Sequence, residues 1–366
     1  MKNKGPFVDI SLVIIFSTAA TFLFSYIAYV ILQNKYPAFL PLWNTWDAQH
    51  YVEIAKNWYT SSTVEERNLQ IVFFPLYPLL IKIVAFFAGS YVAAGLWVSN
   101  LAFAGAAIYI YKLARLDYDE DDSWRALVYL AIFPTAYFLH AIYTESLFLF
   151  LTIASFYYAR RSNWALSGAF GLLAAATRIT GIVLIPALIV EYLAQRDYKI
   201  RETKKDVLWI GLTVAGVLFY LGINYITFGD PFKFLEIQKE HWSKKLDWPF
   251  NGFLLAYNTI LSREPEIAML SGWFEIFFMF LGLALSIFAF LKVRISYGVL
   301  ALLSWLIMTS TWWWQSIPRY VLVIFPIFLS LSILGRNRAV NFIITFSSIL
   351  LYALFLIQLV RFRWAF

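Results

Sequence analysis

Apolar residues in this chain fall in long unbroken runs, separated by short stretches where charged, amide and proline residues collect. Runs near 7–32, 91–111, 123–139, 142–159, 164–176, 179–194, 207–226, 272–291, 296–311, 320–334 and 339–360 each approach the roughly 20 residues a helix needs to cross a bilayer core, a few being short. The runs are continuous rather than alternating, which excludes membrane strands, and a backbone in lipid must then satisfy its own hydrogen bonds as helix. The pattern predicts an all-α polytopic membrane protein of about 11 transmembrane helices, forming a single domain over residues 1–366.

Composition agrees with the pattern. Of 366 residues 61% are hydrophobic, 20% aromatic and only 14% charged, far from the balance of a soluble domain. The first run is too long for a signal-peptide core and no small-residue cleavage site follows it, so it is expected to remain as an anchor. The absence of cysteine excludes disulfides, thiolate nucleophiles and thiolate metal sites, and histidines at only 50, 140 and 241 argue against a closed zinc site. The net charge of +7 reports topology rather than an acidic partner, and no nucleic acid is expected.

Basic residues mark the short loops Lys112 to Arg125, Arg160-Arg161, Arg196 to Lys205, Lys292 to Arg294 and Arg336 to Arg338, which should face the cytoplasm together with Lys2 and Lys4. Whether the run 73–88 spans or only dips into the membrane decides this. If it spans, every later basic loop moves outside; if it dips, all six clusters lie inside, so a dipping helix is expected. The C-terminal Arg361-Phe362-Arg363 then lies outside, against the rule. The outer face receives a first loop over 33–90 carrying interfacial helices, the turn Phe138 to Thr144, a second large loop over 227–271, and Trp312 to Arg319, with the turn Thr177 to Gly181 at the same level.

The first outer loop contains Trp43-Asn44-Thr45-Trp46-Asp47-Ala48-Gln49-His50-Tyr51, followed by Phe73-Phe74-Pro75-Leu76-Tyr77-Pro78. If Asp47 to Tyr51 is helical, Asp47, His50, Tyr51 and Ile54 share a face. The acidic turn Asp117 to Asp122 lacks the glycine and distal glutamate of a calcium loop and reads as a solvated turn with a cap for the helix at Ser123. Glu145 lies near the first turn of a helix, where the dipole favours a carboxylate; an ionisable group facing a cavity there is equally a functional candidate. Arg178 has no acidic partner within a turn, so it either snorkels to head groups or neutralises an anionic substrate, and Arg319 poses the same choice. Trp312-Trp313-Trp314 reads as an interfacial belt, and the lysines and aromatics of 227–271 as an amphipathic surface on anionic head groups.

One outer aspartate facing basic residues suits group transfer from a lipid phosphate. The leaving phosphate needs cations, which Arg178 or Arg319 offers, and the acceptor hydroxyl needs a base, for which Asp47 is the candidate. His50 reaches either that carboxylate or a substrate phosphate. Asp47 and Glu145 are also candidates to share Mg²⁺ or Mn²⁺ through water, although no metal-spacing motif is present.

Trp46-Asp47 with His50-Tyr51, then Phe73 to Pro78, then Tyr143-Thr144-Glu145-Ser146-Leu147-Phe148, then Thr177-Arg178-Ile179-Thr180-Gly181, in this order and spacing, resemble the PIG-V-like family, the second GPI mannosyltransferase and its prokaryotic relatives. The similarity covers roughly residues 40–195, and Arg319-Tyr320 to Phe325-Pro326 more loosely. The resemblance implies a C-type glycosyltransferase fold and inverting transfer, with mannose as the expected sugar, from a polyprenyl- or dolichyl-phosphate donor to a glycolipid, glycan or protein. It makes Asp47 the catalytic aspartate and places Glu145 and Arg178 in the same cavity. Trp46, His50, Tyr51, Glu145, Arg178 and Arg319 form the expected substrate-binding set, on the extracytoplasmic face of a prokaryotic cell membrane. Two other classes share the span count: a lipid-linked sugar transporter, which calls for mid-membrane charges and repeat symmetry, and a non-catalytic scaffold.

Overall fold

The computed structural model describes residues 6–32, 38–363 and 366. Lys2, Lys4 and the first residues of the 33–90 loop lie outside them. The described residues form helices with no named strand: α1 (Pro6–Ile31), α2 (Asp47–Asn57), α3 (Leu76–Ala88), α4 (Tyr91–Ala114), α5 (Glu120–Ile132), α6 (Glu145–Arg160), α7 (Trp164–Thr177), α8 (Leu184–Ala194) and α9 (Leu212–Phe228). There follow α10 (Lys233–His241), α11 (Pro249–Ser262), α12 (Pro265–Ala268), α13 (Glu275–Phe288), α14 (Ile295–Thr309), α15 (Ile317–Leu322), α16 (Pro326–Leu334) and α17 (Arg338–Val360).

Asp9–Ile31, Tyr91–Ala114, Lys205–Phe228, Pro265–Val293 and Arg338–Val360 are long and apolar enough to cross a membrane. The remaining predicted spans are shorter or broken. The run 123–139 gives α5 and a separate turn Ala136–Leu139, because Pro134 cannot continue the helix. The run 320–334 splits at Pro326 into α15 and α16 in the same way. The protein is multi-pass, but the structure does not reproduce a uniform set of 11 full-length spans. At 13 residues α3 rises only about 20 Å, short of the roughly 30 Å hydrocarbon core.

The basic loops gather at one end of the bundle. Arg160 pairs with Asp117, Arg294 forks onto Glu191 at 2.7 and 2.8 Å, and Ser296 Oγ donates to the same carboxylate at 2.6 Å. Asp122 is held by Arg125 and Arg336, so the acidic turn is cross-braced rather than merely solvated, while Asp119 caps α5 by accepting from Asp122 N at 2.8 Å. The chain leaves Glu145 at the start of α6 and reaches Arg160 at its end, about 24 Å away. The candidate chemistry therefore lies at the end opposite the basic loops. Arg363 lies at the candidate end and pairs with Glu266 at 2.6 Å.

Candidate active site

Asp47 is the first residue of α2, where the helix dipole favours a carboxylate. The turn leading into it is tight. Ala48 N and Gln49 N donate to Thr45 O and Trp46 O, and Thr45 Oγ1 donates to Leu42 O at 3.0 Å. Trp46 takes φ 55°, ψ −131°, a conformation that is costly for a side-chain-bearing residue and is kept only where surrounding structure imposes it. Behind Asp47, Tyr51 packs edge-on against Phe73 and Tyr77, with ring centroids 5.1 Å away in each case. The Phe-Phe-Pro-Leu-Tyr-Pro segment is itself pinned. Tyr59 Oη donates to Phe73 O at 2.7 Å, Phe74 stacks on Tyr220 at 3.8 Å, and Tyr77 Oη meets Ser99 Oγ at 2.7 Å.

The four ionisable residues picked out by sequence meet at this point. Arg319 Nη1 lies 3.3 Å from Asp47 Oδ2, and its Nε lies 3.2 Å from Glu145 Oε1. Arg178 Nη1 donates to the same Glu145 oxygen at 2.8 Å and to Thr144 Oγ1 at 3.1 Å. The chain thus runs Asp47, Arg319, Glu145, Arg178. Exposure differs along it: the Asp47 side chain keeps 33% of its surface and Arg178 17%, whereas Glu145 between the two arginines keeps only 1%. A buried carboxylate is tolerated because two guanidinium groups hold it, while the outermost carboxylate stays open to a ligand. Arg178 adopts an extended backbone between α7 and the turn Ile179–Val183, and Gly181 permits that turn: a Cβ there would meet Ala175 Cα at 2.5 Å.

His50 does not join this chain of charges. Its ring stacks on Phe73 at 4.8 Å and meets Trp242 edge-on at 5.9 Å, and burial lowers its pKa despite the opposing pull of Asp47 and Glu66. The neutral ring suits packing or a hydrogen bond better than charge neutralisation. Tyr51 is likewise held as a phenol, its pKa raised by burial and then by the Asp47 and Glu145 charges. Trp46 is 45% exposed beside Asp47.

Sequence reasoning missed three residues here. Tyr320 lies under the guanidinium groups of Arg178 and Arg319, each 5.5 Å from its ring centroid, and its hydroxyl accepts from Lys244 Nζ at 2.9 Å. Lys244 was grouped with the head-group lysines of the 227–271 loop, and only chain folding reveals its neighbours. Glu275 is fully buried in the long apolar helix Pro265–Val293, and its two oxygens accept from Ser316 N and Ile317 N at 2.7 Å each. That carboxylate caps α15, two residues before Arg319. An acid inside an apolar run was a legible signal for it.

A divalent ion shared by Asp47 and Glu145 does not fit this arrangement. The Arg319 guanidinium already bridges the two carboxylates, and no group of three or more metal-ligating side chains occurs among the described residues. Together the Arg319 and Arg178 guanidinium groups balance the two carboxylates, so no net negative charge remains to draw in a divalent cation.

The family profile described as "Mannosyltransferase (PIG-V)" matches residues 16–277. A curated relative, GPI mannosyltransferase 2 of Drosophila pseudoobscura pseudoobscura, is 27% identical over 129 residues, which cover 32% of this chain and 27% of that protein. The match thus spans about a quarter of the relative's length. Among solved structures, ArnT from Cupriavidus metallidurans bound to undecaprenyl phosphate superposes with a TM-score of 0.55 at 14% identity, over 88% of this chain and 60% of that one. This is a likeness of fold. The apo oligosaccharyltransferase of Archaeoglobus fulgidus gives 0.47 at 14% identity, over 96% of this chain and 55% of that one.

Proposed function

We propose that this chain, which belongs to the PIG-V mannosyltransferase family, is an inverting glycosyltransferase that moves a mannosyl residue from a polyprenyl- or dolichyl-phosphate donor to a glycolipid, glycan or protein hydroxyl. The observation that carries the reading is the Asp47–Arg319–Glu145–Arg178 chain, assembled from four segments distant in sequence and most open at Asp47. The ArnT-like fold supports a membrane setting, and the bound undecaprenyl phosphate of that neighbour is in keeping with a lipid-phosphate donor. The opposition of this site to the basic loops supports an extracytoplasmic location in a prokaryotic cell membrane.

In the proposed reaction Asp47 takes the proton of the acceptor hydroxyl as its oxygen attacks the sugar anomeric carbon. The bond from that carbon to the phosphate oxygen breaks, and its electron pair stays on the phosphate. Arg319 holds the carboxylate oriented before transfer, and with Arg178 it faces the charge that grows on the leaving group. Glu145 keeps both guanidinium groups aligned from beneath. Trp46 and Tyr51 flank the base on the substrate and core sides respectively.

The test is sugar transfer from radiolabelled polyprenyl-phosphate mannose by the purified chain. Asp47→Asn should fold and extract as the unsubstituted protein does while losing about 100-fold to 10,000-fold in rate. Unimpaired transfer by that variant rules Asp47 out as the base. A transporter reading has less support, because Glu275, a carboxylate buried within an apolar span, has both oxygens committed to backbone N–H groups.

A further inference from the structure

We propose that Lys244, carried in by the second outer loop, binds the donor phosphate and closes the charge balance of the site; this rests on the transferase reading above. The aromatic ring of Tyr320 is surrounded by three cations: Arg178 and Arg319 at 5.5 Å and Lys244 Nζ at 4.9 Å from its centroid. Both arginines are held by carboxylates. Lys244 donates to the neutral Tyr320 hydroxyl and has no carboxylate within ion-pair distance among the described residues. The half-buried ammonium thus has room for an anion at ion-pair distance, with Glu275 acting on it only from further away.

The position of Lys244 is built by its surroundings, which argues against a stray surface lysine. Its backbone N donates to Gln238 O at 3.0 Å, Lys245 O accepts from Trp312 N at 3.3 Å, and Asp247 N donates to Ser310 O at 3.1 Å. Leu246 forms a bridge to Thr311, and Trp312 Nε1 donates to Ser243 O. The loop is thus laced to the segment that leads into α15, and the lacing drops Lys244 onto Tyr320.

The charges then sum simply. Within ion-pair reach, Arg178 and Arg319 are balanced by Asp47 and Glu145, and Lys244 adds the cation that one phosphodiester meets; Glu275 is left out of this count because it lies beyond ion-pair distance of Lys244, with its oxygens held by Ser316 N and Ile317 N. During transfer the acceptor proton neutralises Asp47 while the phosphate passes from one negative charge to two. The sum stays at zero from bound donor to bound product. Without Lys244 the loaded site would carry a net negative charge throughout. The same balance favours a lipid monophosphate carrier over a diphosphate carrier.

The experiment measures binding of polyprenyl monophosphate by intrinsic tryptophan fluorescence, and sugar transfer from polyprenyl-phosphate mannose, on the purified chain. K244M should weaken monophosphate binding and raise the donor KM by about tenfold to 100-fold, with a smaller change in kcat, since a charge-assisted hydrogen bond is lost. K244R should restore most of both, and K245M, whose lysine lies over the Trp312 ring, should match the unsubstituted protein. K244Q carries the same expectation if K244M is not recovered folded. Unchanged binding and KM in K244M, with D47N inactive, overturns the role of Lys244 and leaves the transferase reading intact. Tighter binding of polyprenyl diphosphate than of monophosphate overturns the charge match. Failure of the unsubstituted chain either to bind the monophosphate or to transfer sugar from it overturns both.

Discussion

Asp47 and Glu145 are both carboxylates at helix starts, yet their surroundings separate their roles. Glu145 is enclosed by two guanidinium groups, whereas Asp47 meets one and keeps an open side, so only Asp47 can approach an acceptor hydroxyl. His50, expected in the substrate-binding set, packs on Phe73 instead of joining these charges. Its pKa is lowered from 6.5, chiefly by burial, so the folded state favours the neutral ring. The unfolded chain then binds more protons in the window below 6.5, and the stability contributed by this site is complete above that value and falls as the pH drops through it. His50→Phe keeps a ring on Phe73 and removes the titration. The fall in melting temperature between about pH 7.5 and about pH 5.5 should therefore be smaller in that variant than in the unsubstituted protein. An equal or larger fall shows that His50 does not titrate this way.

Among the elements, α15 is the one whose placement matters most for its length. It has six residues, begins after Ser316 at φ 73°, and carries Arg319 into the middle of the charge chain. Six residues hold no helix in place by themselves. Glu275, from a neighbouring span, supplies the restraint by accepting the first two N–H groups of the turn. Glu275→Gln replaces one acceptor oxygen by an amide NH₂ and leaves a buried donor unsatisfied, a cost of about 1–3 kcal/mol. Transfer should fall by about tenfold or more, and the fall should be much smaller in an Arg319→Lys background, because the carboxylate acts through that arginine. Full additivity of the two substitutions in this double-mutant cycle would show that Glu275 acts elsewhere.

For the molecule as a whole, the basic loops at one end and the candidate site at the other make topology directly testable. The chain has no cysteine, so single cysteines can be introduced without background. Ser61 lies exposed in the first outer loop, and Asp197 lies exposed among the basic loops. A membrane-impermeant maleimide applied to intact cells should label S61C and spare D197C until the membrane is opened. The reverse pattern would put the site on the cytoplasmic side. The breaks after α5 and between α15 and α16 fall in buried stretches, where irregular backbone is sheltered by protein rather than lipid.

By itself the sequence determined the helical, multi-pass class, because continuous apolar runs in lipid leave the backbone no other way to pair its polar groups. It also singled out Asp47, Glu145, Arg178 and Arg319, since charged residues beside apolar runs are too costly to be placed idly. Only the tertiary structure decided which of them touch. Arg319 lies 272 positions from Asp47, and no local pattern encodes a contact at that range. The same holds for Lys244 and Glu275, whose meaning depends on partners brought up from other helices, and for His50, whose half-buried ring folding stacks on Phe73. Local periodicity reports what environment a residue needs, whereas its partner is set by the packing of helices far apart along the chain.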